Sequence, residues 1–184
     1  MNVQKFPKPA WLTKASWERK EKSMLIGILS DTHGQARATR EAVALFDREG
    51  VEHIIHCGDV CGTAVFDELV GRPVSFVWGN MDDPDEPLLR YLETVGLTPP
   101  SAVPLRLDLD GKRLAVFHGH ERAFAQADRL DVDYVLHGHT HRLRDERIDG
   151  KRFINPGALH RARRKTVATL DLSADRLTIH EIGG

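Results

Sequence analysis

Three times between Met24 and Thr94 a short apolar run gives way to a small polar turn and then to an amphipathic stretch. The first run, Leu25-Ile26-Gly27-Ile28-Leu29-Ser30, is apolar without alternation, as a strand buried on both faces must be, and it stops at Asp31-Thr32-His33-Gly34. Gln35 to Glu49 then carries Ala38, Ala42, Val43, Leu45 and Phe46 at helical spacing and closes at Gly50. Val51 to His56 repeats the strand and ends in Cys57-Gly58-Asp59, with a helix expected over Ala64 to Val70. Val74 to Trp78 is the third strand, ending in Gly79-Asn80-Met81-Asp82. The acidic, proline-bearing loop Asp82 to Pro87 reads as the entry to a helix near Glu86 to Thr94 rather than as a calcium site. Such a succession dictates a parallel sheet with right-handed crossovers. Ligands of these sheets lie beyond the carboxyl ends of the strands, where Asp31, His33, Asp59 and Asn80 all fall.

After Pro99-Pro100 the pattern turns antiparallel. Val103 to Leu109 and Arg113 to Phe117 form a hairpin about Asp110-Gly111, and its second strand ends in His118-Gly119-His120. A helix is expected from Glu121 to Leu130, followed by a strand over Asp133 to Leu136 that runs into His137-Gly138-His139-Thr140-His141. The period of two in a strand lets His139 and His141 aim at one point, with Gly138 leaving their approach clear. Short strands follow at Arg144 to Ile148 and Lys151 to Ile154 around Asp149-Gly150, then a tight Asn155-Pro156-Gly157 loop, then Thr166 to Leu172 and Leu177 to Ile182. The fold class this predicts is α/β, two mixed β-sheets packed face to face and flanked by helices.

Five strand ends therefore carry side chains of one chemical kind: Asp31 with His33, Asp59, Asn80, His118, and His139 with His141. Imidazoles, carboxylates and one amide, with no thiolate, suit two borderline divalent ions, manganese first with iron, zinc or nickel as alternatives. A carboxylate bridging such a pair would hold the ions about 3.5–4 Å apart, as two-metal hydrolysis requires. The remaining composition narrows the partners. With 26 Lys+Arg against 27 Asp+Glu the net charge is -1, so no global field favours nucleic acid or an anionic membrane. The two cysteines, Cys57 and Cys61, are too few for a disulfide framework and suit a reducing cytoplasm. No apolar run approaches the roughly 20 residues of a membrane span, and the N-terminus lacks the apolar core of a secretory signal. A cytoplasmic location is expected. Residues 1–23 differ from the rest, with six Lys or Arg, Trp11 and Trp17, and read as a basic N-terminal extension to a domain over 24–184.

The blocks Ser30-Asp31-Thr32-His33-Gly34, His56-Cys57-Gly58-Asp59, Gly79-Asn80-Met81-Asp82, His118-Gly119-His120 and Gly138-His139-Thr140-His141 stand in the order found in calcineurin-like metallophosphoesterases. The chain most resembles their small microbial phosphodiesterase branch, which Asn155-Pro156-Gly157 also fits. That resemblance implies two ions, the first held by Asp31, His33 and His141, the second by Asn80, His118 and His139, with Asp59 bridging. It further implies a bridging hydroxide that attacks phosphorus in line, and a small phosphoester as substrate. No membrane or specific nucleic-acid partner is expected, and homo-oligomerisation is left open. Asn80 could also donate to phosphate through its amide.

One position departs from the family's pattern. Larger members place a histidine after the asparagine to protonate the leaving oxygen, and this chain has Met81, which cannot donate. His120 is the nearest replacement by motif, with an outer-shell role as its alternative, and Asp82 is expected to orient a neighbouring ligand. His53, His56 and His137 read as structural, and His160, Arg161, Arg163 and Arg164 as a solvated basic run in which a phosphate-binding arginine would be useful. Two other functions stay in view: a non-catalytic interaction scaffold of the same fold, such as a subunit of the eukaryotic retromer, and a phosphomonoesterase or nucleotidase.

Overall fold

A computed structural model describes residues 23–183. The reading of residues 1–23 as a basic extension lies, except for Ser23, outside the described residues. The strands form two five-stranded sheets. In the first, β1 (Leu25–Leu29) is central, with β2 (His53–His56) and β3 (Val74–Phe76) parallel on one side. On its other side, β9 (Thr166–Asp171) and β10 (Arg176–Glu181) complete the sheet antiparallel. In the second, β5 (Lys112–Val116), β6 (Tyr134–Leu136) and β8 (Lys151–Asn155) are parallel, and β4 (Leu105–Leu109) and β7 (Arg144–Ile148) are antiparallel edges. Both sheets are thus mixed, as expected.

Three apolar clusters define four layers. Ile26 and Ile28 of β1 meet Leu114, Val116, Leu136 and Ile154 between the sheets. On the outer face of the first sheet lie α1 (Ala36–Glu49), α2 (Thr63–Leu69) and α3 (Glu86–Thr94), with Phe46, Phe66, Phe76 and Leu92 buried there. Gly27 sits mid-strand because a Cβ at that position would come within 2.9 Å of the Phe46 ring, so its absence lets α1 lie close on the sheet. The acidic loop does start α3: the Asp85 carboxylate caps it by accepting the Leu88 N–H at 2.9 Å.

The outer face of the second sheet is covered by Phe124, Ala127 and Leu130. The helix expected over Glu121 to Leu130 is present as a 3₁₀ helix, Arg122–Arg129, kinked at Gln126. Its covering residues recur every third position, the period of a 3₁₀ helix. The Glu121 carboxylate is engaged elsewhere, accepting the N–H groups of His118 and Gly119 at 2.8 and 2.6 Å. Among the described residues no helix is long and apolar enough to cross a membrane.

Candidate metal centre

Six parallel strands, three per sheet, end on the same side, and their loops continue to pair beyond them. Asp31 N–H donates to the Gly58 carbonyl at 3.0 Å and His33 N–H to that of Asp59 at 2.9 Å, while Gly138 N–H donates to that of His118 at 2.8 Å. Asp31 joins the two sheets, its Oδ2 accepting from Ser30 Oγ at 2.6 Å and from the His139 N–H at 3.1 Å. Asn155, at the end of β8, ties its loop to the histidine loop by donating from Nδ2 to the Gly138 carbonyl at 2.7 Å.

Backbone strain concentrates here. Of ten non-glycine residues with positive φ among the described residues, Asp110, Asp149 and Asp175 sit in turns between strands, where aspartate tolerates that region. The other seven are Asp31, His33, Asp59, Cys61, His139, His141 and Arg161. Each costs on the order of 1 kcal/mol, a cost that persists where the surrounding structure fixes a functional geometry.

Asp59 Oδ2 lies 3.4 Å from both His33 Nε2 and His118 Nε2. Asp31 Oδ1 lies 3.1 Å from His141 Nε2 and 4.0 Å from His118 Nε2. His118 donates from Nδ1 to the Cys57 carbonyl at 2.8 Å, which leaves the Nε2 lone pair facing the carboxylates. Three buried atoms, Asp31 Oδ1, His33 Nε2 and His118 Nε2, have no hydrogen-bond partner. Buried orphans of this kind ordinarily cost about 1–3 kcal/mol each. Divalent cations would satisfy all three, and the N/O donor set fits them. Two groups have donor atoms mutually within 4.8 Å, Asp31 with His33 and His141, and Asp31 with Asp59 and His118. Asp31 thus belongs to both groups, a sharing that the motif-based expectation gave to Asp59 alone.

Electrostatics favour an ionised Asp59. Burial pushes its carboxyl up, but the His118 ring and the Met81 N–H, which donates to Oδ1 at 2.9 Å, hold it down at about 2. Burial pushes His118 down, yet the neighbouring Asp59 carboxylate and the bond to the Cys57 carbonyl leave it raised. Burial pushes the Cys61 thiol up to about 12, with Asp82 adding to the shift.

A cavity of about 300 Å³ opens over these atoms, with His33, Asp59, Asn80, His139 and His141 in its wall. Asn80 and His139 therefore join the predicted set on its exposed side. Met81, His160 and Arg161 complete the lining. His120 does not line the cavity; its ring stands at the edge, 5.4 Å from that of His118 and 6.1 Å from that of His139. Asp82 does not line it either, because its two oxygens accept the N–H groups of Cys61 at 2.8 Å and Gly79 at 2.7 Å. His160 and Arg161 belong to the basic run that reads in the sequence as solvated, with a use for a phosphate-binding arginine. Their only sequence signal was a basic pair shortly after Asn155-Pro156-Gly157.

Carboxylates and imidazoles gathered where two sets of parallel strands end define the class, that of the metallophosphoesterases. Residues 24–175 match the calcineurin-like phosphoesterase superfamily domain, and the chain belongs to that superfamily. It is 30% identical over 138 residues to a phosphodiesterase of Methanocaldococcus jannaschii, covering 73% of this chain and 83% of that protein. The solved structure of an archaeal phosphodiesterase superposes with a TM-score of 0.77 at 28% identity, over 86% of this chain and 99% of that one. Vps29 of Entamoeba histolytica shares the fold at a TM-score of 0.60 and 25% identity, over 86% of this chain and 91% of that one.

Proposed function

We propose that this protein is a dinuclear metal-dependent phosphodiesterase acting on a small phosphoester. The observation that carries this reading is the trio of partnerless buried atoms, Asp31 Oδ1, His33 Nε2 and His118 Nε2, gathered around the two carboxylates. Asp31, His33 and His141 would hold one ion, and Asn80, His118 and His139 the other, with Asp59 between them. Manganese is the preferred metal, with iron, zinc or nickel acceptable to the same donors. Divalent ions bound there supply Lewis acidity and lower the pKa of water.

The chain's own residues do the rest. The Cys57 carbonyl fixes the orientation of His118, and Asp82 braces the loops carrying Asp59 and Asn80. Asn80 combines an amide oxygen for a metal with N–H donors for a phosphate oxygen. Met81 offers no proton to a leaving group, so the enzyme works best on esters with acidic leaving groups, and aryl diesters are the favoured probe. His120, at the edge of the site, is kept as an outer positioning group. The diester preference rests on the likeness, in sequence and in solved structure, to archaeal phosphodiesterase.

A scaffold function is the second reading, favoured by the likeness to Vps29. Turnover of bis(4-nitrophenyl) phosphate and 4-nitrophenyl phosphate, with Mn²⁺ and after chelation, decides between them when combined with elemental analysis. Manganese-dependent diester turnover with two bound ions is expected. Absence of turnover on both esters together with absence of bound metal would leave the scaffold.

A further inference from the structure

Arg161 is the one permanently charged cation among the residues lining the cavity. The basic run to which it belongs does not behave as a unit. Arg164 is paired with Glu181, Nη2 to Oε2 at 2.7 Å, and Lys165 lines a separate depression beside Gln35 and Arg37. Arg161 has no carboxylate partner among the described residues. It nevertheless holds a left-handed backbone at φ 48, as five of the predicted metal ligands do. Its neighbour His160 packs its ring against that of His33, centroids 5.1 Å apart, which fixes the loop over the donor cluster. The chain thus spends backbone strain and a ring contact to bring a guanidinium to the cavity mouth, and then leaves it unpaired.

A guanidinium presents two parallel N–H donors that match two oxygens of a phosphate, which a lone ammonium cannot do. Met81, also in the lining, has no donor in its side chain. We propose that Arg161 holds the phosphoryl group in this cavity by pairing with its non-bridging oxygens. The assignment of the anion as a phosphate rests on the phosphoesterase reading above. The role is one of binding, so its loss falls on KM and on product affinity more than on kcat.

The test compares Arg161→Ala, Arg161→Lys and Arg163→Ala in the full-length, manganese-supplemented protein. Arg163→Ala removes the same charge from the same loop outside the cavity. Inorganic phosphate binding by calorimetry and KM for bis(4-nitrophenyl) phosphate are measured, with metal content as a check. Loss of a charge-assisted pair predicts phosphate affinity weakened about 10–100-fold and a comparable rise in KM for Arg161→Ala. Arg161→Lys falls between, and Arg163→Ala stays within about twofold of the parent. Equal behaviour of Arg161→Ala and Arg163→Ala, or no phosphate binding by the parent, overturns the proposal. Arg161-dependent phosphate binding without ester turnover sinks the hydrolase reading and leaves this one standing.

Discussion

Asp59 and His118 meet Oδ2 to Nε2 at 3.4 Å, and the other oxygen of Asp59 accepts the Met81 N–H at 2.9 Å. One carboxylate oxygen is thus tethered to backbone while the other is left among imidazoles. Asp59→Asn keeps the tether, because an amide oxygen can accept the same N–H, and removes the charge. The fold should persist with both metals lost. Because the change strikes a bridging donor, activity should fall by more than the roughly 10–100-fold typical of outer-shell changes. Elemental analysis and diester turnover check this; activity surviving at parental level would remove Asp59 from the bridging role.

Asp82 acts at one remove. Its carboxylate accepts N–H groups from Cys61 and Gly79, so one side chain clamps the loops after β2 and β3. Asp82→Ala leaves two N–H groups without that acceptor and should cost roughly 2–4 kcal/mol of stability in urea unfolding. Metal affinity should weaken about 10–100-fold as Asp59 and Asn80 lose their spacing. A variant as stable and as metal-avid as the parent would contradict this positioning role.

These two residues mark how far the sequence could be read. Repeated strand–turn–helix units placed Asp31, Asp59 and Asn80 at strand ends, and the Asp-Gly turns placed the hairpins. What pairs with what across more than a hundred residues, as His139 N–H does with Asp31, follows from packing of one sheet on the other. Which members of the basic run His160 to Arg164 reach the cavity is set in the same way, because β9 pairs with β1, a non-local contact with no local pattern. The Glu121 to Leu130 segment is legible as a helix, and its 3₁₀ type follows from burial at every third residue against the second sheet.

Gly138 is a packing requirement of the site. A Cβ there would stand 1.8 Å from Ser30 Oγ and 2.7 Å from Asp31 Oδ2. Gly138→Ala should therefore cost about 1–3 kcal/mol and displace Asp31, cutting activity by at least about tenfold. Adding Ser30→Ala removes the worst contact and the Ser30 bond to Asp31 together. The double variant should regain part of the stability but not the activity, a non-additivity measurable by unfolding and turnover. Full recovery of activity would show that Ser30, not the position of Asp31, is what Gly138 protects.

His56 links the same loops through a neutral imidazole. Its Nδ1 accepts the Gly58 N–H at 3.2 Å, so the proton sits on Nε2, 3.0 Å from Thr32 Oγ1, which in turn donates to the carbonyls of Asp59 and Val60. Burial, with the charge of His118 adding to it, drives His56 down from 6.5 to about 3. Below the unfolded value the unfolded chain binds a proton that the folded one refuses, so this contribution to stability is complete above about pH 6.5 and declines as the pH falls toward 3. Between about pH 7.5 and 5.5 the loss attributable to one such histidine is about 1.4 kcal/mol. His137, held at about 4 mainly by burial, adds a similar dependence, and His118, shifted upward, opposes it. Comparison with His56→Asn isolates the first term, because the other two are common to both proteins and the asparagine oxygen can still accept the Gly58 N–H. Metal-free urea unfolding at the two pH values should give a variant that starts less stable yet loses about 1.4 kcal/mol less on acidification. Identical acid slopes in the two proteins would mean that His56 is protonated in the folded state and that its bond to Gly58 does not form in solution.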